Sequence, residues 1–169
     1  MTTQVTILTA VLDGHVAELR AAIAAIPLGD DSPFASVTGT HNGRWTLVDM
    51  GAVTRPRFRA GGLPAPMLTC SGTVDGVPDE WLRSLLAVLG QRADSIWSHC
   101  AGWSAAGDKV AYLLDHRVPS MLEFVTSEGS VATVRRALAD RRAAEKLAVR
   151  AQGASDIEIV ALYRELMGR

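Results

Sequence analysis

The sequence is poor in cysteine and in aromatic residues, and it has no excess charge of either sign. Among 169 residues there are 2 cysteines, and aromatic residues account for 5%. Two cysteines cannot form a disulfide framework, so we expect reduced thiols. The 17 basic and 18 acidic residues give a formal charge of -1, which argues against a dedicated nucleic-acid-binding protein.

Long apolar runs are also absent, since none approaches the roughly 20 residues that a membrane-spanning helix needs. Residues 1–12 lack the basic segment and the small-residue cleavage site of a secretory signal. We therefore expect a cytoplasmic protein that does not enter a membrane. Its 48% hydrophobic and 21% charged residues are ordinary for a globular protein, and its length fits a single domain over residues 1–169.

Hydrophobic periodicity predicts an alternation of strands and helices. Runs rich in β-branched residues predict four strands, over residues 4–12, 40–50, 67–74 and 120–127. Apolar residues at helical spacing predict one helix after the first strand and another after the third. Residues 91–118 are predicted as a helical insertion, and residues 130–168 as C-terminal helices.

The predicted order is therefore β-α-β-β-α-insertion-β-α-α. It matches the ferredoxin-like βαββαβ unit, an α+β fold in which helices cover one face of an antiparallel sheet. The core would occupy about residues 4–128. The other face of the sheet needs a cover, and a second copy of the chain is the usual one, so we expect a homodimer.

Three local strings add to this order: Gly39-Thr40-His41-x-x-Arg44-Trp45, Val74-Asp75-Gly76 and Ile96-Trp97-Ser98-His99-Cys100-x-Gly102. The strings and the element order over residues 5–138 resemble a little-characterised subgroup of the dimeric α+β barrel superfamily. In that superfamily two ferredoxin-like units pack sheet to sheet around a cavity. Its members include cofactor-independent monooxygenases, isomerases, cyclases, haem enzymes and ligand sensors. The resemblance therefore implies a cavity for a small organic ligand, and no single reaction.

His41 is the first candidate for acid/base chemistry, because an imidazole can take or give a proton near neutral pH. It precedes Arg44 and Trp45 on the predicted second strand, and a period of two would place Trp45 on the face that carries His41. If that face lines the cavity, His41 is a catalytic acid/base, Arg44 engages polar groups and Trp45 forms an apolar wall. The alternative is an inert histidine at a strand edge.

Two further sets of charged residues are candidates. Arg55, Arg57 and Arg59 alternate in a connection rich in glycine and proline, where their guanidiniums could close on an anionic substrate. A solvated loop is the alternative.

Glu123 lies among apolar residues of the predicted fourth strand, where burial would make it a catalytic acid. An ion pair with an arginine is the alternative for this residue.

The predicted insertion contains two tryptophans, Trp97 and Trp103, close in sequence to His99. Trp97 and Trp103 are predicted to line the ligand, with His99 either contacting the substrate or serving as the axial ligand of a haem. Packing of the insertion onto the core is the alternative for all three.

His15 is expected to be exposed to solvent, and His116 to lie at a helix C-terminus, where a cationic imidazole is favoured.

No spacing typical of a metal site, a nucleotide-binding loop or an activated serine is present in the sequence. We therefore expect neither a metal nor a cofactor, with a haem held by His99 or His41 as the alternative. The leading interpretation is a small-molecule enzyme of specialised metabolism that performs isomerisation, cyclisation or cofactor-independent oxygenation. A non-catalytic ligand-binding or partner module is the second alternative.

Overall fold

The computed structural model describes residues 2–49, 65–119 and 129–167. Within these ranges the chain is an α+β protein whose three strands form one antiparallel sheet. It divides into two compact units, Met1–Thr126 and Ser127–Arg169. The single domain expected over residues 1–169 stays a prediction.

The sheet contains three strands, β1 (Thr2–Ala10), β2 (Thr40–Val48) and β3 (Met67–Asp75). β3 lies in the centre and is antiparallel to both neighbours, so that Cys70 is opposite Ile7 of β1 and opposite Trp45 of β2. Each strand coincides with a predicted one to within two residues. β-Branched residues and alternating burial therefore identify this part of the fold correctly.

β2 contains a bulge at its beginning. Thr40 and Asn42 pair with consecutive residues of β3, so His41 is the extra residue between them. Thr40 faces the core, where its hydroxyl accepts a hydrogen bond from Trp81 Nε1 at 2.9 Å. Because the bulge shifts the alternation by one residue, Gly43 also faces the core.

Five α-helices accompany the sheet among the described residues of the first unit: α1 (Val16–Ala24), α2 (Pro33–Ser36), α3 (Pro78–Leu89), α4 (Gln91–Trp97) and α5 (Lys109–Asp115). Four of them occur where helical spacing predicts them, but α2 falls in a segment predicted as a loop. Its sequence begins with Ser32, whose hydroxyl accepts a hydrogen bond from the Phe34 N–H, followed by Pro33 in the first turn. This short helix places Phe34 in the core.

The core lies between the sheet and these helices. Alternate residues of β1 and β3 are buried, and they meet apolar side chains from α1, α3, α4 and α5. Leu19, Leu85, Trp97 and Leu113, one from each of these helices, are all 0% exposed. Removal of this apolar surface from water is the main stabilising contribution to the unit.

The predicted fourth strand, residues 120–127, lies outside the described residues. The residues just before it run antiparallel to the free edge of β1. The Val118 N–H donates a hydrogen bond to the Thr6 carbonyl at 2.8 Å, and the Leu8 N–H donates one to the His116 carbonyl at 3.0 Å. The chain thus arrives at residue 118 alongside β1.

The second unit contains helices α6 (Val131–Arg150) and α7 (Asp156–Met167), where the sequence predicts C-terminal helices. Ser130 caps α6, since its hydroxyl accepts a hydrogen bond from the Thr133 N–H. Arg150 Nη1 lies 2.9 Å from Glu165 Oε1 and links the two helices. In the part of the chain that the structure describes, no helix is long and apolar enough to cross a membrane.

Candidate functional site

The sheet has two chemically different faces. One face lies under the helices, and its residues from β1 and β3 are buried. The other, which we call the open face, carries half-buried or exposed side chains. Its polar residues are Gln4, Thr6, Asn42, Arg44, Thr46, Thr69, Ser71 and Thr73, and the apolar residues Leu8, Ala10, Val48 and Met67 lie at one end. A ligand that binds to the open face would therefore meet hydrogen-bonding groups.

Trp45 lies on the helix-covered face, contrary to its prediction as a cavity wall. Its ring centroid is 4.2 Å from that of Phe34 in α2 and 6.4 Å from that of Trp97 in α4. Gly43 is on the same side, because a Cβ there would lie 2.3 Å from the Phe34 ring. Arg44, between these two residues, is exposed on the open face. The predicted apolar wall is thus part of the core.

Trp97 and Trp103 are core residues as well, which corrects their prediction as ligand-lining residues. They are 0% and 1% exposed, and their ring centroids lie 5.4 Å apart. Trp103 Nε1 donates a hydrogen bond to Asp94 Oδ1 at 2.8 Å. The alternative interpretation, in which these aromatic residues pack the insertion onto the core, agrees with the structure.

His41 pairs with a carboxylate that the sequence analysis did not select. Its Nε2 lies 2.9 Å from Oδ1 of Asp75, the last residue of β3. The side chains are 13% and 26% exposed, so the pair is largely shielded from water. A carboxylate bonded to one imidazole nitrogen orients the ring and leaves the other nitrogen to exchange a proton. This arrangement is suited to general acid/base chemistry.

The backbone brings the two residues of this pair together. The Asp75 N–H donates a hydrogen bond to the Gly39 carbonyl at 2.8 Å. Gly39 has φ +83°, a left-handed conformation that favours glycine, and a Cβ there would lie 3.3 Å from the Asp75 Cβ. Glycine therefore lets the chain enter β2 directly against the end of β3. The position of Asp75 at a strand end is visible in the sequence, but its pairing with His41 requires the strand order.

A depression of about 390 Å³ lies on the open face. It is lined by Arg44 and its neighbours on all three strands: Gln4, Asn42, Gly43, Ser71, Gly72 and Thr73. Arg44 Nε donates a long hydrogen bond of 3.4 Å to Ser71 Oγ, and the Arg44 side chain is exposed. A guanidinium beside hydroxyls and amides is suited to bind a carboxylate, a phosphate or another oxygen-rich group.

The His41–Asp75 pair and this depression are connected along β3. Ser71, Thr73 and Asp75 are alternate residues, so they form a row with about 6.6 Å between successive positions. Arg44 is opposite Ser71 at one end of the row, and His41 bonds Asp75 at the other. A small organic ligand lying along this row would reach from the guanidinium to the imidazole.

His99 pairs with another histidine. Its Nδ1 lies 3.0 Å from Nδ1 of His15, and both side chains are half-buried, which corrects the predicted exposure of His15. The depression on the open face does not border His99, so the haem alternative stays a prediction. His116 lies at the end of α5, as predicted, with Nδ1 2.7 Å from the Tyr112 carbonyl.

The two cysteines are unsuited to nucleophilic chemistry. Both are free and buried. Burial raises the pKa of Cys70 from 9.0 to about 12, and burial also raises the pKa of Cys100, against a smaller opposing effect of the hydrogen bond with Thr9. A thiol that stays protonated is a poor nucleophile. Within residues 2–49, 65–119 and 129–167, no three His, Cys, Asp or Glu side chains come together as a metal site.

Four predicted site residues lie outside the described residues: Arg55, Arg57, Arg59 and Glu123. The closing loop and the buried acid that they were expected to provide stay predictions.

Comparison with known proteins leaves the chain without an assigned family. No family model, no curated protein and no solved structure matches it. The resemblance to the dimeric α+β barrel superfamily therefore rests on the element order and the three strings, and it stays a prediction. The chemistry of the open face and of the His41–Asp75 pair is the remaining guide to function.

Proposed function

We propose that this protein is a small-molecule enzyme in which His41 is the general acid/base and Asp75 is its orienting carboxylate. The hydrogen bond of 2.9 Å between them is the observation that carries the proposal. Asp75 orients the imidazole and determines which of its nitrogens is available to exchange a proton. A positioned histidine of this kind contributes roughly 10²- to 10⁴-fold to the rate of a reaction.

The substrate in this proposal is an organic molecule with an anionic group, bound along the open face. The exposed guanidinium of Arg44 engages the anionic group, and the hydroxyls of Ser71 and Thr73 hold further oxygens. The reacting carbon then lies towards His41, at the Asp75 end of the row. Isomerisation and cyclisation fit this site best, because both can proceed through proton transfers alone.

The proposal includes a ferredoxin-like fold and a second copy of the chain over the open face. The strand order β1-β3-β2 and the pairing of Val118 beside β1 support a four-stranded antiparallel sheet of that topology. A second sheet packed on the open face would convert the depression into an enclosed cavity. Sedimentation equilibrium is expected to give the mass of a dimer. A monomer at every concentration would contradict this part of the proposal.

A ligand-binding module without turnover is the second candidate. The observation that favours it is that the depression is lined by Arg44 and its neighbours but not by His41. Both candidates use the same ligand site, and they differ in whether His41 exchanges a proton with the ligand.

Proton exchange in D₂O separates the two candidates. The protein is incubated with a panel of enolisable oxo carboxylic acids of increasing length, in which the acidic C–H lies up to about 13 Å from the carboxylate to match the row from Ser71 to Asp75. The loss of the acidic C–H signal is followed by ¹H NMR. We expect exchange above the buffer rate for at least one acid, with a loss of about 100-fold or more in His41→Gln and a smaller loss in Asp75→Asn. His116→Gln, at the end of α5, is the control that should keep the wild-type rate.

Arg44→Ala tests the ligand site separately from the chemistry. We expect it to lose the thermal stabilisation that the active panel member gives to the wild-type protein, whereas His41→Gln keeps it. Stabilisation without exchange would support the binding module. Exchange that persists in His41→Gln would contradict the acid/base assignment, and a panel that gives neither effect would contradict both candidates.

A further inference from the structure

Arg44 lies in the middle of the open face, so a ligand anchored there could extend along the sheet in either of two directions. On β2, Asn42 precedes it by two residues and Thr46 follows it by two, and all three side chains are exposed. Each of the two neighbours is therefore about 6.6 Å from Arg44 along the strand. The direction that leads to the His41–Asp75 pair passes over Asn42.

The depression on the open face extends from Arg44 in that direction. Its lining includes Asn42 and Thr73, which are paired across β2 and β3. Thr46 and its partner Thr69 do not belong to the lining of this depression, although they lie equally far from Arg44. The concave surface therefore begins at the guanidinium and continues towards the imidazole.

The charges at the two ends of the row determine how a ligand lies in it. Among the described residues that line the depression, Arg44 is the charged one, and its hydrogen bond to Ser71 Oγ directs the guanidinium towards β3. The far end carries the Asp75 carboxylate, beside which a second negative group is disfavoured. A ligand with one negative charge therefore places it at Arg44 and its neutral part towards His41.

The middle of the row offers hydrogen bonds. Asn42 provides an amide that both donates and accepts, and its partner Thr73 provides a hydroxyl. Every described residue of the lining is polar, charged or glycine. A methylene group placed here would displace water from the amide without replacing its hydrogen bonds, whereas an oxygen atom would replace them. The middle of the row therefore distinguishes an oxygen-bearing ligand from a plain hydrocarbon chain.

We propose that Asn42 determines substrate specificity by selecting a monoanionic acid with a hydroxyl or carbonyl oxygen about 6.6 Å from its carboxylate. This inference rests on the proposed function, from which it takes the two ends of the row. Arg44 binds the carboxylate, Asn42 and Thr73 bind the oxygen halfway along, and the reacting carbon lies beyond it, at His41. The substrate class is that of medium-chain hydroxy and oxo monocarboxylic acids, and unsubstituted fatty acids and dicarboxylic acids are disfavoured.

Binding of three monocarboxylates tests this selection without requiring turnover. Octanoate, 3-hydroxyoctanoate and 6-hydroxyoctanoate are titrated into the wild-type protein, and the ¹H–¹⁵N signals are followed by NMR. The last acid carries its hydroxyl at about the 6.6 Å that separates two positions of the row, and 3-hydroxyoctanoate carries it closer to the carboxylate. We expect 6-hydroxyoctanoate to bind about 3- to 10-fold more tightly than the other two, the effect of one hydrogen bond. It should also shift the side-chain amide signals of Asn42 most.

Variants on the two sides of Arg44 locate the selection. Asn42→Leu has no amide, so it should bind 6-hydroxyoctanoate no more tightly than octanoate. Thr46→Val is the matched control, because Thr46 is equally far from Arg44 on the opposite side, and it should keep the wild-type preference. Arg44→Ala should weaken the binding of all three acids about tenfold or more, because each of them loses a charge-assisted hydrogen bond.

Three results would overturn the inference: equal affinity for the three acids, no binding of any of them, or a preference that disappears in Thr46→Val and persists in Asn42→Leu. The third result would mean that the ligand extends away from His41. Failure of the proposed acid/base chemistry gives a different result, since proton exchange would then be absent while the preference in binding persists.

Discussion

The two faces of the sheet differ in chemistry although their residues alternate along each strand. Arg44 and Ser71 are paired across the open face, and the next pair, Trp45 and Cys70, lies under the helices. The first pair borders the candidate ligand site, whereas the second packs in the core. Residues proposed to bind a ligand and residues that stabilise the core are therefore neighbours in the sequence, and we expect that each set can be altered with little effect on the other.

The difference between the faces follows from what each side chain loses on unfolding. A core residue such as Trp97 is completely buried in the folded protein and becomes exposed to water on unfolding. An open-face residue such as Arg44 is already exposed in the folded protein. We therefore expect substitutions on the helix-covered face to lower the free energy of unfolding, and substitution of an exposed open-face residue such as Arg44 to change that of the single chain by about 0.5 kcal/mol or less.

Trp97→Ala should give the largest effect. Trp97 is 0% exposed and contacts the rings of Trp45 and Trp103, so its truncation leaves a cavity between two layers of the core. We expect a loss of about 3–5 kcal/mol in the free energy of unfolding, measured by urea denaturation. Arg44→Ala is the open-face control. Equal losses in the free energy of unfolding in the two variants would show that the two faces contribute equally to stability.

Gly43→Ala should give the next largest effect. Gly43 immediately precedes Arg44, but it faces the core, where a Cβ would lie 2.3 Å from the Phe34 ring. Displacement of that ring or of the strand should lower the free energy of unfolding by about 1–3 kcal/mol. In Gly107→Ala the new methyl group meets nothing within 4 Å, and Gly107 does not have a positive φ, so it is the matched control. A wild-type melting temperature in Gly43→Ala would show that this side of β2 is not packed.

Ionisation of the Cys70 thiol should give the smallest effect, a decrease in the free energy of unfolding at alkaline pH. Burial raises its pKa from 9.0 to about 12 in the folded protein, so the unfolded chain loses the thiol proton first. The stabilisation that comes from keeping the Cys70 thiol protonated is complete below about pH 9 and is lost as the pH rises towards 12. At pH 9.5 this loss lowers the free energy of unfolding by about 1 kcal/mol or less. Urea denaturation at pH 7.5 and 9.5 should show a smaller difference in Cys70→Ala than in the wild-type protein. An identical difference would mean that the Cys70 thiol is accessible to water in the folded protein.

Local patterns in the sequence were sufficient to predict the three strands of the described sheet and most of the described helices. β1, β2 and β3 occur within two residues of their predicted bounds because β-branched residues and alternating burial coincide there. α3 begins with Pro78 and ends before Gly90, which has a positive φ of +53° that favours glycine. These signals act over a few residues, so they can be recognised without knowledge of the rest of the fold.

The assignment of faces needs information that local patterns do not contain. Alternation divides the residues of a strand into two sets, but it does not say which set the helices cover. Trp45 contacts Phe34 of α2, a helix too short to give a periodic signal. The bulge at His41 then shifts the alternation by one residue, and it leaves no mark in a single sequence.

The paired histidines depend on the fold in the same way. His41 and Asp75 are 34 residues apart, and His15 and His99 are 84 residues apart. His41 could be chosen by residue type and its neighbours, but its partner could not, because the contact exists only where the start of β2 lies beside the end of β3. The same holds for His15, which looks exposed from its place before a helix.

The bulge in β2 adds one residue to the strand without changing which side chains the helices cover. Thr40 and Gly43 both face the core although an odd number of steps separates them, because His41 is the extra residue between Thr40 and Asn42. Deletion of His41 would leave Thr40 and Gly43 two steps apart, so both would still face the core and Arg44 would still face away from it. The shortened strand should therefore keep its packing and lose only the imidazole that bonds Asp75. The extra residue thus supplies a side chain at a place where the regular ladder has no position for one.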